Sequence, residues 1–289
     1  MLSAVAKLCC GISYQHLRSV TGLRRPAMAA LGQEMAQMQK RGNMWLTSRS
    51  LEVVWRWRSE REETETEQTG GQCDGVEDTD LWYQQQGHDA LQKALNITLN
   101  SEGWKTEIIT EDCGQVIYSK VLQGNQKVFR LEAELDASPE EIYEVLFVRV
   151  EEMSEWNPSI THIKVLKRIG KETMVTHEVS AGKAGNLIGQ RDFLSVRHSV
   201  KTKRCIYVGG AATHLEAFHP PPGFIRAEDG PTCMMIEPLP SCPGKSKFTW
   251  LLNMDVKGWL PKSVVNQALP QAQLDFTRHL RRRLEMSRK

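Results

Sequence analysis

The residues best equipped for chemistry in this chain stand in two short motifs, Thr176-His177-Glu178 and Gly189-Gln190-Arg191-Asp192-Phe193. Both lie inside segments that otherwise read as buried strands, M-V-T-H-E-V over 174–179 and R-D-F-L-S-V-R-H-S-V over 191–200. Side chains on a strand alternate faces, so Arg191, Phe193, Ser195 and Arg197 share one face, while His177 points to the opposite face from Glu178. Two arginines among apolar neighbours need a counter-charge, because an unpaired buried charge is very costly. Glu178, on the preceding strand, is the nearest supplier in sequence. The pattern admits a rim salt bridge on the one hand, and a polar anchor in a mostly apolar site on the other.

Other chemistry is scarce. There is no G-x-S-x-G elbow, P-loop or dinucleotide fingerprint, and no cofactor is expected. His214 and His219 are five residues apart, off the i, i+4 spacing that aligns helix ligands, and Pro220-Pro221-Pro222 follows; the segment reads as a solvated loop. The seven cysteines form no C-x-x-C pair, which argues against zinc and fits a reducing compartment with free thiols. A formal net charge of +2 gives no sign of a nucleic-acid binder. No run approaches the roughly 18 apolar residues of a membrane span.

Composition divides the chain in three. Residues 1–33 hold Lys7, Arg18, Arg24 and Arg25 and no acid, the pattern of a mitochondrial targeting presequence, although a basic tail without structure would share it. Residues 34–80 read as a linker, basic at first and then acidic: from Glu60 to Asp80 nine acids face the single Arg61. Residues 81–289 read as one globular unit. A helix is expected over 81–99, with Leu91, Leu95 and Leu99 as its apolar stripe. Strands follow over 106–110, 115–122 and 127–135. Ser138-Pro139-Glu140-Glu141 then starts a helix, with serine as cap and glutamate three residues on, running to about residue 155. Further strands are expected over 161–169, 172–180, 190–200, 204–212, 223–236 and 246–256, and a long helix over 260–284. Strands in succession with helices at the ends predict an antiparallel α+β domain whose last helix covers the sheet. Arg278, Arg281, Arg282, Arg283, Arg288 and Lys289 crowd the end of that helix. They suit anionic lipid headgroups, or equally a solvated end that complements the helix dipole.

Several motifs in order carry a family resemblance: Glu155-Trp156-Asn157-Pro158, Thr176–Glu178, Asn186–Phe193, Arg226-Ala227-Glu228, Gly230-Pro231-Thr232-Cys233 and Lys257-Gly258-Trp259-Leu260-Pro261-Lys262. Together they resemble the START lipid-transfer domain family, and the likeness thins only between about residues 38 and 80. It implies a helix-grip fold, a curved antiparallel sheet around a hydrophobic tunnel closed by the C-terminal helix. It also implies non-enzymatic cholesterol binding and delivery from the outer to the inner mitochondrial membrane, where steroid synthesis begins. The expected partners are therefore cholesterol, the outer mitochondrial membrane surface and the import machinery, with the protein a monomer. On this likeness Glu178, Arg191 and Arg197 hold the sterol hydroxyl, and Phe276, Leu280 and Leu284 form the apolar lid face.

The sequence also departs from the family pattern. Asp229 and Tyr207 stand where the resemblance implies histidine and leucine, and either change can alter the polarity of the tunnel. Arg56-Trp57-Arg58-Ser59 keeps only part of a basophilic kinase site. Pro270 stands where serine is implied, inside the last helix, as a tolerated kink or as a hinge. In the hinge reading the half bearing Phe276, Leu280 and Leu284 swings while the half before it stays docked. Two rival functions remain, a cytosolic sterol sensor and an enzyme using His177 or Glu178 as a general base.

Overall fold

The structure is a computed structural model and describes residues 78–110, 114–182, 190–216 and 218–288. The expected presequence, the linker up to residue 77 with Ser59, residues 186–189 of one motif, and Lys289 lie outside the described residues. The first helix, α1 (Asp78–Leu99), begins three residues ahead of Leu81 and carries Asp78 and Asp80 in its first turn, where carboxylates suit the helix dipole. Asp80 also pairs with Lys167 on the sheet. Leu91 and Leu95 are buried as expected, but Leu99 is 46% exposed at the last turn. Smaller residues bring this helix close to the sheet. A Cβ on Gly87 would lie 2.8 Å from the His198 Cβ, and one on Gly209 would lie 2.7 Å from Leu91 Cδ1, so neither position has room for a side chain.

Twelve strands follow among the described residues. β1 (Lys105–Thr110), β2 (Gln115–Val121) and β3 (Lys127–Leu135) form a meander. β4 (Ile160–Ile169), β5 (Thr173–Ser180), β6 (Arg191–Lys201) and β7 (Ile206–Ala212) form another. The segment expected as one strand over 223–236 breaks into β8 (Ile225–Arg226), β9 (Glu228–Asp229) and β10 (Thr232–Pro238). Pro231, with no N–H to give a ladder, falls at the last break. β11 (Ser246–Leu252) is separated by Asn253 from β12 (Met254–Asp255), which pairs with β9 as a separate ribbon. The large sheet has the order β1-β2-β3-β11-β10-β7-β6-β5-β4 and is antiparallel except where β8 runs parallel to β6. β3 and β11, far apart in sequence, join the two meanders through pairs such as Leu131 opposite Trp250.

The sheet separates two apolar layers. On its outer face Leu91, Ala94 and Leu95 of α1 pack with Val128, Cys233 and Leu251. On its inner face Phe129, Leu131 and Phe248 pack with residues 142–156 and with the last helix, α4 (Lys262–Met286). The expected helix from Ser138 starts as read. Ser138 Oγ accepts from the Glu141 backbone N–H, and the Glu141 carboxylate accepts from the Ser138 N–H. It does not stay regular. After α2 (Pro139–Tyr143) the chain widens into a π turn (Glu144–Val148), tightens into a 3-10 turn (Val150–Glu152) and ends in α3 (Met153–Trp156). The wide turn buries Val145, Leu146 and Phe147 in succession, whereas a 3.6-residue turn rotates each residue by about 100° and carries one of the three outward.

α4 is continuous through Pro270, but its halves are held very differently. In the half before Pro270 only Leu269 is buried, whereas Gln273, Phe276, Thr277, Leu280 and Leu284 are buried beyond it. Part of the basic end is bonded to the rest of the domain. Arg281 donates to the Glu134 carbonyl at 2.7 Å, Arg283 pairs with Glu152 at 3.0 Å and Arg288 reaches Glu141 at 3.4 Å. The first turn, by contrast, has no acid and no side-chain cap. Any hinge at Pro270 therefore frees the half before the proline, and the half bearing Phe276, Leu280 and Leu284 stays docked, the reverse of the sequence expectation.

Pro270 denies the Asn266 carbonyl its helical partner, and proline is intrinsically about 3 kcal/mol worse than alanine inside a helix. Pro270→Ser is expected to slow backbone hydrogen exchange over 262–269 while leaving 276–286 unchanged. Equal changes in both halves, or in neither, reduce Pro270 to a kink.

Candidate functional site

The register of β5 on β6 builds the site. Glu178 lies opposite Phe193, Thr176 opposite Ser195 and Met174 opposite Arg197, so all six share the inner face. Arg197 stands four residues from Glu178 along the ladder, about 13 Å of strand. Its side chain bridges that span by running along the strand. Nε donates to Thr176 Oγ1 at 3.1 Å and Nη2 donates to Glu178 Oε2 at 2.9 Å. The predicted carboxylate–guanidinium pair thus forms with Arg197.

Arg191 is on the same face and is 7% exposed, but it serves a different end of the site. Its Nε donates to the Val256 carbonyl at 3.3 Å, beside Gly258. Burial lowers its guanidinium from the usual arginine value.

These residues face a cavity of about 340 Å³ between the inner sheet face, the 146–160 segment and α4. The size falls in the range of about 300–1,000 Å³ for small-molecule sites, and the wall is mostly apolar. Glu178, Arg191, Arg197 and Phe276 line it; Leu280 and Leu284 do not. Those two leucines pack into the core beyond its end, at 0% and 4% exposure, so their expected place on the lid face over the ligand is corrected. Phe276 closes that end, with ring centroids 4.8 Å from Trp250 and 5.6 Å from Trp156. The helical wall over the cavity comes instead from Val264, Val265, Ala268, Leu269 and Ala272. The i, i+3, i+4 spacing that selects Phe276, Leu280 and Leu284 extends backward to these positions, and their small residues leave room rather than fill it.

Asp229, a departure from the family pattern, lines the cavity, where it accepts a hydrogen bond from Ser195 Oγ at 2.8 Å. Tyr207, by contrast, packs on the outer face and leaves cavity polarity untouched. Burial pushes the Glu178 carboxyl up, Arg197 opposes this, and the Asp229 charge adds to it. Burial also raises Asp229, against its bond to Ser195 and the Arg197 charge. About a fifth of each side chain in the Glu178–Arg197 pair remains accessible, and that surface faces the cavity.

The outer face holds a second polar group. Asp192, fully buried, accepts from Arg226 Nη2 at 2.7 Å and Nε at 2.9 Å, and from His177 Nε2 at 3.2 Å. Phe218 meets the His177 ring edge-on at 4.9 Å, and burial lowers His177 from its usual value. The loop from Thr213, expected to be solvated, is so only in part: His214 and His219 are exposed, whereas Leu215 and Phe218 pack on the sheet. The signal for this cluster in the sequence is the aspartate inside Gly189–Phe193, which alternation places on the face opposite Arg191.

Losing one partner of a fully buried pair costs about 3–5 kcal/mol. Here partial access to the cavity reduces that, and Arg197→Met is expected to cost about 2 kcal/mol at neutral pH in urea unfolding. In that variant the carboxyl of Glu178 is raised further, so the folded state binds its proton more tightly than the unfolded state does. The deficit is then largest above the folded value and shrinks as pH falls toward the ordinary carboxylate range. A deficit equal at pH 5 and pH 7.5 contradicts the pairing.

Comparison with known proteins agrees with this architecture. A START domain model matches residues 84–289. Proteins named steroidogenic acute regulatory protein, mitochondrial, from Rattus norvegicus and Homo sapiens are each 46% identical to this chain, covering 99% of it and 98% and 97% of themselves. The Danio rerio protein of that name is 42% identical, covering 98% of this chain and 96% of itself. Among solved structures, human StAR-related lipid transfer protein 5 superposes with a TM-score of 0.66 at 20% identity, over 73% of this chain and all of its own. The lipid transfer domain of human StarD13 gives 0.53 at 21% identity, over 68% and 94%. By the length and depth of these matches, and by a cavity between an antiparallel sheet and a C-terminal helix, the chain belongs to the steroidogenic acute regulatory protein family of START-domain proteins.

Proposed function

We propose that this chain binds cholesterol in the inner-face cavity and carries it, without chemical change, from the outer to the inner mitochondrial membrane for steroid synthesis. The observation that supports this most is the Glu178–Arg197 ion pair set into a mostly apolar wall. A sterol has a large apolar body and one hydroxyl, and the Glu178–Arg197 pair offers that hydroxyl both an acceptor and a donor, directly or through a water. At about 0.8 kcal/mol per buried CH₂, the body gains well over 10 kcal/mol on leaving water. Affinity is then easy and release is the demanding step, which suits the weakly held first half of α4. Arg191 lies nearer β12 and α4, within reach of the same ligand. The protein acts as a monomer, with residues 1–33 as presequence, 34–80 as linker and 81–289 as the lipid-binding unit.

The enzyme reading has less to support it. His177 faces away from the cavity and is held by Asp192 and Phe218. Glu178 is held by Arg197.

Transfer of labelled cholesterol from donor liposomes to isolated mitochondria tests the carrier role. The full chain is expected to deliver sterol to the inner membrane, and Glu178→Gly to abolish delivery while the domain stays largely folded. Sterol that is bound but never delivered identifies a sensor instead. Localisation is separable from binding. Replacing Arg18, Arg24 and Arg25 with glutamate is expected to leave the protein in the cytosol with unaltered sterol affinity, and unchanged mitochondrial localisation contradicts the assignment of residues 1–33.

A further inference from the structure

The Asp229 carboxyl is a second acid in the wall of the cavity, and its bonding differs from that of Glu178. β9 presents Asp229 inward and Glu228 outward, the latter exposed and paired with Lys257 at 2.9 Å. Asp229 has no such cation. Among the described residues its hydrogen bond comes from a neutral hydroxyl, that of Ser195, and it accepts through Oδ2. Arg197 carries charge of the right sign, but its Nη2 and Nε donors are taken by Glu178 and Thr176. A carboxyl group has more bonding capacity than one hydroxyl uses, whether ionised or protonated. In a mostly apolar cavity that remaining capacity is costly when left unfilled.

The Ser195 bond to Oδ2 ties β9 to β6, and fold maintenance uses no more of the carboxyl than that. β9 is held to β12 through backbone pairs, Asp229 opposite Met254 and Glu228 opposite Asp255, and Gly230 N–H donates to the Asn253 carbonyl at 2.9 Å. None of these bonds uses the Asp229 side chain. The group it offers is aimed at whatever fills the cavity.

Position limits what that is. Ser195 is two residues from Arg197 on the same face of β6, about 7 Å along the strand, and lies opposite Thr176, two residues from Glu178. The Asp229–Ser195 group is therefore close to the Glu178–Arg197 pair and not at the far end of the cavity. A ligand whose hydroxyl is held by that pair meets Asp229 with its ring system, not its side chain.

We propose that Asp229, together with Ser195, is a specificity-determining anchor that bonds a second oxygen function on the ring system of the ligand, so that this chain favours ring-oxygenated sterols over a sterol with a single hydroxyl. This rests on the reading of the cavity as a sterol site and adds a selectivity that reading alone does not contain. A site that bonds a polar group discriminates against ligands lacking it, because its own groups are then left unpartnered. One net hydrogen bond corresponds to a preference of up to about tenfold.

The test is competition for the full-length chain loaded with a fluorescent sterol, using cholesterol, 4β- and 7β-hydroxycholesterol as ring-oxygenated arms, and 25-hydroxycholesterol as the side-chain arm. At least one ring-oxygenated sterol is expected to compete about tenfold better than cholesterol, with the side-chain arm close to cholesterol. Asp229→Leu is expected to remove that preference, read as the ratio of ring-oxygenated sterol to cholesterol competition within the variant itself. Asp229→Asn, which keeps donor and acceptor at similar size, is expected to retain part of it, and it tests the proposal should the leucine variant fold poorly. Equal competition by all four sterols in the parent, or a preference that survives Asp229→Leu and Asp229→Asn unchanged, overturns the anchor while leaving the sterol site standing. Failure of every sterol to bind the parent overturns the sterol site itself, and the anchor with it.

Discussion

Two opposite charges inside an apolar cavity must satisfy each other, and the register of β5 on β6 is what lets Arg197 reach Glu178. A slip of one residue would turn Glu178 outward and bring His177 into the cavity, because neighbouring side chains point to opposite faces. Much of the surrounding structure fixes that register. On the outer face Asp192, Arg226 and His177 lock the start of β6 to β5 and to the segment that leads into β9. Farther along, Thr173 Oγ1 bonds His198 Nδ1 at 2.8 Å. Gly87 and Gly209 let α1 lie against the back of these strands.

The same division between faces explains what the sequence made legible. Alternation in 174–179 and 191–200 separates Glu178 from His177 and places Arg191, Phe193, Ser195 and Arg197 together, because a strand has only two sides. The capping box at Ser138 is likewise local and survives in the fold. Which arginine meets Glu178 was not legible. Arg191 and Arg197 share a face, and the choice depends on cross-strand pairing that no local pattern states. The ribbon of β9 and β12 that brings Asp229 to the cavity arises from contacts between segments more than twenty residues apart. Leu280 and Leu284 show the converse error. Helical spacing identified a buried face correctly, but not where along it packing gives way to space.

α4 contains a gradient of order that fits a carrier. Its C-terminal half is fixed by Leu280, Leu284 and arginines bonded to Glu134, Glu141 and Glu152, while its first half roofs the cavity without a cap, with only Leu269 buried before Pro270. Loading and release then need only the roof to open, and the core remains closed. Segments that open are drawn from the weakly held end of a structure. Sterol burial supplies ample affinity, so a weak roof serves exchange more than a tight one would.

The position of the sterol hydroxyl in a structure of the chain bound to cholesterol bears most directly on this account. The hydroxyl oxygen is expected within about 3 Å of a Glu178 or Arg197 side-chain atom, or joined to one of them by a single water, with the rings under the first half of α4. A sterol bound the other way round, with its hydrocarbon tail against the Glu178–Arg197 pair, or bound outside this cavity, would contradict it.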